Sequence, residues 1–164
     1  MGLNQSMGRS NIGVIGLKVW VSIIQHKNGG ISLEKTFIMI KPDGVERGLV
    51  GEIIARIERK GFKITRAKLL AVSKELAEDH YIEHREKPFF GELIDYILEG
   101  KVMAMEVEGD SSIEIMRLII GHRDPKLAQA GTIRGDFAHS LTKNIIHGSD
   151  SVESAERELK LWFD

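Results

Sequence analysis

The sequence predicts an α/β (α+β) fold: a ferredoxin-like βαββαβ sandwich with a mostly antiparallel four-stranded sheet, helices on one face and extra helices in the connections. Three observations predict it. From Thr36 onward, short β-prone apolar runs alternate with stretches of helical period. Gly, Pro or a capping residue stands at most changes of period. The 164 residues amount to about one domain, with no internal repeat.

Each element follows in order. Thr36-Phe37-Ile38-Met39-Ile40 is β-prone and mostly apolar, as a buried strand is. Lys41-Pro42-Asp43-Gly44 breaks it with turn chemistry. Val50, Ile53, Ile54 and Ile57 recur at i, i+3, i+4 and i+7, one helical face, and Gly61 is placed to end that helix. Phe62 to Val72 has strand spacing, and Ser73 is the expected N-cap of a helix to about His84. Pro88 interrupts, and Phe89 to Leu98 forms a second short helix. Val102 to Val107 is a third strand. Ser111 and Glu114 have capping-box spacing for a helix carrying Ile115, Met116, Ile119 and Ile120. Gly121 to Lys143 exceeds the ~12–15 residues usual for a structureless loop, so a functional loop is expected. Asn144-Ile145-Ile146 is a short final strand with His147 just beyond it. Asp150 and Glu153 have capping-box spacing for a last helix, Ser151 to Leu161.

Residues 1–33 differ from the rest, with scattered Gly, Asn and Ser and one apolar patch in which Val19, Val21, Ile23 and Ile24 could make a short strand. Arg9 and Lys18 are the only charges before Lys27, and no clear cleavage motif follows, which suits neither a secretory signal nor a targeting helix. A loosely ordered extension, 1–33, ahead of a domain, 34–164, is expected. Asn11 to Gln25 carries Lys18 and falls short of the ~20 residues a membrane span needs.

Composition narrows the chemistry. There are no cysteines, which excludes disulfides, thiolate metal sites and a Cys nucleophile and suits the cytoplasm. Lys and Arg (23) nearly balance Asp and Glu (24). No global basic field exists, so nucleic acid is not expected and any anion site must be a local cluster. Neither a Walker A sequence nor a Gly-x-Gly-x-x-Gly fingerprint after a strand occurs.

Cations nevertheless stand at element ends. Lys41 follows the first strand, Arg117 lies on the helix before the long connection, and Arg134 lies within Gly131-Thr132-Ile133-Arg134-Gly135-Asp136. They suit a polyanion pocket, because guanidinium forks match phosphate oxygens. They equally suit three unrelated surface cations. His80 and His84, four apart on a helix, could pair as metal ligands, but no third ligand is evident and an exposed helical face is the preferred account. His26, His122 and His139 carry little signal. His147 stands at a strand end ahead of a helix N-terminus, and Glu158 on that helix could orient its other nitrogen. Spacing alone leaves its catalytic role open.

Asn144-Ile145-Ile146-His147-Gly148-Ser149-Asp150-Ser151, preceded by Gly131-Thr132-Ile133-Arg134-Gly135-Asp136-Phe137, closely resembles the signature of nucleoside diphosphate kinases. The resemblance begins near Glu34, includes Thr36 to Val45 and Arg85-Glu86-Lys87-Pro88-Phe89-Phe90, and runs to Leu161-Trp162-Phe163. It implies a ping-pong kinase in which His147 takes the terminal phosphate of a nucleoside triphosphate, ATP included, and passes it to a nucleoside diphosphate. Glu158 would hold the other ring nitrogen, leaving Nδ1 as nucleophile, with Ser149 beside both. Lys41, Arg117 and Arg134 would be phosphate-binding cations, and Arg134 a transition-state clamp whose loss lowers turnover far more than stability. Tyr81 would pack near the histidine, Phe89 stack on the base, Leu93 line its slot, and Asn144 bond the sugar. Mg²⁺ would be held mainly by nucleotide phosphates and water, without a protein carboxylate cage. A homo-oligomer, hexamer or tetramer, is implied. Three departures stand out: Arg123, kept as a nucleotide-binding candidate, where a phosphate-touching Thr is common, Ala130 in place of a Pro, and Leu141 in place of a smaller Val.

Overall fold

The computed structural model describes residues 33–164. The extension and its short strand near Val19 lie outside the described residues. Strand β1 (Leu33–Ile40) leads into α1 (Pro42–Glu46) and α2 (Val50–Arg59). Strand β2 (Lys63–Ala71) is followed by α3 (Lys74–His80), a 3₁₀ turn (Ile82–His84) and α4 (Phe90–Leu98). Strand β3 (Lys101–Asp110), α5 (Ser112–Ile120), α6 (Ile133–Phe137), β4 (Ile146–Gly148) and α7 (Val152–Phe163) complete the order. The four strands lie as β2-β3-β1-β4, every neighbouring pair antiparallel.

The expectation that helices cover one face is corrected: they cover both. β1 is the reason. Its last five residues are all buried, because alternate side chains leave the sheet on opposite sides and each side meets apolar partners. Ile38 and Ile40 join Ile53, Ile57, Met116 and Ile120 on one face. Phe37 and Met39 join Ala77, Ile94, Ile97, Leu159 and Trp162 on the other.

Several local expectations shift. Lys41 to Gly44 is more than a turn: Pro42 opens α1, where its missing N–H costs nothing. The first α3 turn is capped by Ser73, but the helix stops at His80 rather than His84. Ser111 and Glu114 form no capping box, since Ser111 adopts the left-handed conformation (φ 50°) and its side chain caps nothing. Glu34 of β1 replaces it: Oε2 accepts from Ile113 N–H at 2.8 Å, and Ser112 Oγ donates to the Glu34 carbonyl at 3.0 Å. The last helix is capped by Ser151, which accepts from Ser154 N–H at 3.1 Å, while Asp150 accepts from Ser154 Oγ at 2.8 Å. The long connection contains α6, capped by Thr132, which accepts from Gly135 N–H at 3.0 Å. A Cβ on Gly135 would sit 2.0 Å from the Gln129 carbonyl oxygen, so only glycine fits there.

Glu106 of β3 is the most heavily bonded carboxylate of the sheet. It accepts from Lys35 Nζ at 2.8 Å, Thr65 Oγ1 at 2.6 Å and Arg66 Nε at 2.9 Å. Burial alone would raise its pKa, but these bonds hold it down at about 2. A depressed carboxylate stabilises the fold above its unfolded pKa and loses that contribution as pH falls. Stability should therefore drop between about pH 4.5 and pH 2. Glu106→Gln should cost about 2 kcal/mol at neutral pH and flatten that window; denaturant melts at stepped pH would show it, and an unchanged acid profile would refute the assignment.

Candidate active site

His147 is the central residue of β4, paired with Met39, rather than a residue beyond the strand. The two-residue shift arises at Ile145, a β-branched residue at φ 72°. Its strained backbone is pinned on both sides: the Ile145 carbonyl accepts from Lys41 N–H at 2.8 Å, and its N–H donates to Asp43 Oδ2 at 3.1 Å.

Strand alternation sends His147 toward α7. There Glu158 Oε1 lies 3.0 Å from His147 Nε2. An ionised carboxylate only accepts, so Nε2 carries the proton and Nδ1 keeps its lone pair. Glu158 is buried, and its Oε2 accepts from Ser149 Oγ at 2.6 Å. Ser149 thus braces the carboxylate from behind. The His147 side chain is 25% exposed and opens on a cleft of about 480 Å³.

The same cleft gathers Lys41, Arg117, Arg123 and Arg134. The alternative of unrelated surface cations is thereby removed. Lys41 Nζ donates to Asn144 Oδ1 at 2.8 Å, and Asn144 Nδ2 donates to the Leu141 carbonyl at 2.9 Å. Burial, with Arg134 and Arg123 nearby, lowers the Lys41 ammonium to about 7 against the pull of Asp43. Arg134 donates to the carbonyls of Asn144 (Nε, 3.3 Å), Gly121 (Nη1, 3.2 Å) and Ile146 (Nη2, 2.7 Å). Burial and the neighbouring Arg117 and Arg123 lower it to about 10, so it stays charged at neutral pH. Arg117 makes one such contact, Nη1 to the Gly148 carbonyl at 3.3 Å. Tyr81, Phe89, Leu93 and Asn144 also line the cleft, and Phe89 is 40% exposed at its wall. Of the residues expected at the site, only Ser149 stands off the cleft, behind Glu158.

A family model described as nucleoside diphosphate kinase matches residues 34–164. The chain belongs to the nucleoside diphosphate kinase family. It is 61% identical over 131 residues to a nucleoside diphosphate kinase of Exiguobacterium sibiricum, covering 80% of this chain and 95% of that protein. A halophilic nucleoside diphosphate kinase from Halobacterium salinarum, solved in complex with CDP, superposes with a TM-score of 0.79 at 46% identity, covering 81% of this chain and 89% of that one. The apo enzyme from Encephalitozoon cuniculi superposes with a TM-score of 0.78 at 46% identity, covering 79% and 88%. As a member of this kinase family the chain is a phosphotransferase.

In this nucleoside diphosphate kinase domain, three cleft residues had been passed over or misplaced by sequence. His80 is not on an exposed helical face: it is buried, and its Nδ1 accepts from Trp162 Nε1–H at 3.1 Å. Its spacing of three from buried Ala77 was the available signal. His84 lies between Tyr81 and Phe89, with ring centroids 6.4 and 5.8 Å away. Arg157 reaches Glu83 at 3.4 Å across the cleft wall.

Among the described residues one group of three potential metal ligands occurs, His80, His147 and Glu158. Two nitrogens do not suit Mg²⁺, which demands oxygen. The cleft carboxylates Glu83, Glu92 and Asp150 gather into no such group. No helix among the described residues is long and apolar enough to cross a membrane.

Proposed function

We propose that this kinase moves the terminal phosphate of a nucleoside triphosphate to a nucleoside diphosphate in two half-reactions through a phosphohistidine on His147. The observation that carries it is the bond from His147 Nε2–H to Glu158, which leaves Nδ1 as the free lone pair on a cationic cleft wall. In the first half-reaction Nδ1 bonds to the γ-phosphorus as the bond to the β,γ-bridging oxygen breaks, and the nucleoside diphosphate leaves. In the second, a diphosphate oxygen takes the phosphoryl group back. Glu158 holds the imidazolium proton on Nε2 throughout, and Lys41, Arg117, Arg123 and Arg134 offset the charge on the phosphoryl oxygens. Phe89 offers a face for stacking any base, which suits ATP and the other nucleotides, CDP included, and the upkeep of NTP and dNTP pools. Leu93 bounds the base slot, Asn144 is placed for the sugar, and Tyr81 packs beside the histidines. Mg²⁺, arriving with the nucleotide, would lessen the repulsion among the phosphate oxygens, a charge that Lys41, Arg117 and Arg134 would share.

A homo-oligomer, hexamer or tetramer, is also proposed, from membership of the family. A cytoplasmic location rests on the cysteine-free composition. The boundary at 33/34 is proposed from the matched span.

Incubation with γ-labelled ATP and Mg²⁺ should give an acid-labile, base-stable phosphoenzyme that GDP or dCDP discharges. Absence of both label and transfer would overturn the mechanism.

Lys41 makes the binding step proton-linked. Near pH 7 a half-neutral ammonium beside an incoming phosphate regains its charge. Nucleotide binding should take up protons at pH 8, and affinity should weaken as pH rises through 7. Calorimetry in buffers of different ionisation heat measures this. Zero uptake in the wild type, or unchanged uptake in Lys41→Gln, would refute it.

A further inference from the structure

Behind the cleft, two imidazoles face one carboxylate oxygen. Glu158 Oε1 lies 3.0 Å from His147 Nε2 and 3.9 Å from His80 Nδ1. The two rings stand 4.8 Å apart, edge to face at 81°. At 3.9 Å His80 Nδ1 is beyond bonding distance, so a bond from it would have to draw Oε1 out of the position in which it holds His147. Where Oε1 rests sets the orientation of His147.

Trp162 bears on that choice. The indole nitrogen is a donor only. Since it donates to His80 Nδ1, that nitrogen presents a lone pair, and the neutral ring carries its proton on Nε2. His80 Nε2 is buried with no hydrogen-bond partner among the described residues. The arrangement is therefore not the one His80 would choose by itself. Were the indole N–H absent, a proton on Nδ1 would face Glu158 Oε1 and the ring would keep no unpaired buried N–H of its own.

Charge does not settle the matter. The groups facing His80 are His147 from β4, Glu158 and Arg157 from α7, Lys41 at the end of β1, His84 from the 3₁₀ turn, and its neighbour Tyr81. Burial first, then the nearby His147, Arg157 and Lys41, push its pKa well below 6.5. This excludes the imidazolium but is indifferent between the two neutral tautomers. The Trp162 N–H is the group that tells them apart.

We propose that Trp162 locks His80 in the Nε2–H tautomer and so reserves Glu158 Oε1 for His147, making Trp162 a positioning residue for the nucleophile and His80 the competitor it holds off. The inference rests on His147 being the phosphoryl carrier. It gives the end of α7 a task that packing alone does not require: Trp162 lies one helical turn beyond Glu158 and donates to the imidazole that faces Oε1.

Histidine ¹⁵N NMR and kinetics on the full-length protein test it. In the wild type His80 should show a bare Nδ1 and a protonated Nε2. In Trp162→Phe the His80 proton should move toward Nδ1, and kcat should fall about tenfold, as loss of an outer partner typically does, with KM unchanged. Phosphohistidine should still form on His147, more slowly. The double variant Trp162→Phe with His80→Leu removes the competitor as well and should recover most of the lost kcat. Should Trp162→Phe fold poorly, benzothienylalanine at position 162 keeps the indole shape without the N–H and should give the same tautomer shift. A simple packing role would make the double variant slower than the single, and that result overturns the proposal. An unmoved His80 tautomer in either donor-free variant overturns it too. No phosphohistidine in the wild type would instead remove the assignment of His147, and the proposal with it.

Discussion

His147→Ala is expected to abolish the phosphoenzyme and lower kcat by at least about 10⁴-fold, because it deletes the atom that forms the covalent bond. The cationic cleft survives the change, so nucleotide affinity should stay within a few-fold of the wild type. Stability should fall modestly, by about 1–2 kcal/mol. The lost side chain is partly exposed, but buried Glu158 loses the partner of its Oε1 and keeps Ser149 on Oε2 and, at 3.6 Å, Arg157. Labelled-phosphate incorporation, single-turnover transfer and thermal melts together check this. Persisting phosphorylation at another residue would move the nucleophile elsewhere.

Arg134→Ala is expected to strike turnover and stability together, which differs from a pure transition-state clamp. Its guanidinium satisfies three backbone carbonyls that bracket the cleft: Gly121 at the end of α5, Asn144 and Ile146 before His147. Truncation takes this partner from each, although the Asn144 carbonyl keeps the Ile146 N–H at 2.8 Å, and costs about 2–4 kcal/mol. Loss of the positive charge should lower kcat by about 10²–10³-fold. Arg134→Lys should rescue little, since an ammonium cannot span three carbonyls in one plane. Arg117→Ala, with a single carbonyl contact, should lower kcat at much smaller cost in melting temperature. Equal melting temperatures for wild type and Arg134→Ala would show the brace to be idle.

Much of the fold was legible because periodicity is local. The apolar run of β1, the i, i+3, i+4, i+7 face of α2 and the strand spacing of β2 lie within a few residues of each other, and the structure has each of them. Capping was legible only where the cap is also local. Ser73 serves its own helix, whereas the start of α5 is capped by Glu34, some eighty residues earlier. The family resemblance named the site residues, and the structure brings ten of the eleven to one cleft, with Ser149 behind it. Spacing could not have done so, since Lys41 meets Asn144 across 103 positions.

The sequence by itself determined the order of the strands and longer helices, the family, and the presence of a histidine, a carboxylate and four cations. Local period suffices for the elements, and the resemblance of the motifs for the family and its residues. Only the tertiary structure decided that both faces of the sheet are covered, that Lys41 is buried enough to lie near half-protonation, that Arg134 is a brace as well as a charge, and that Trp162 faces His80. Each of these depends on desolvation or on a hydrogen-bond partner from a distant segment, and neither quantity exists until the chain has folded.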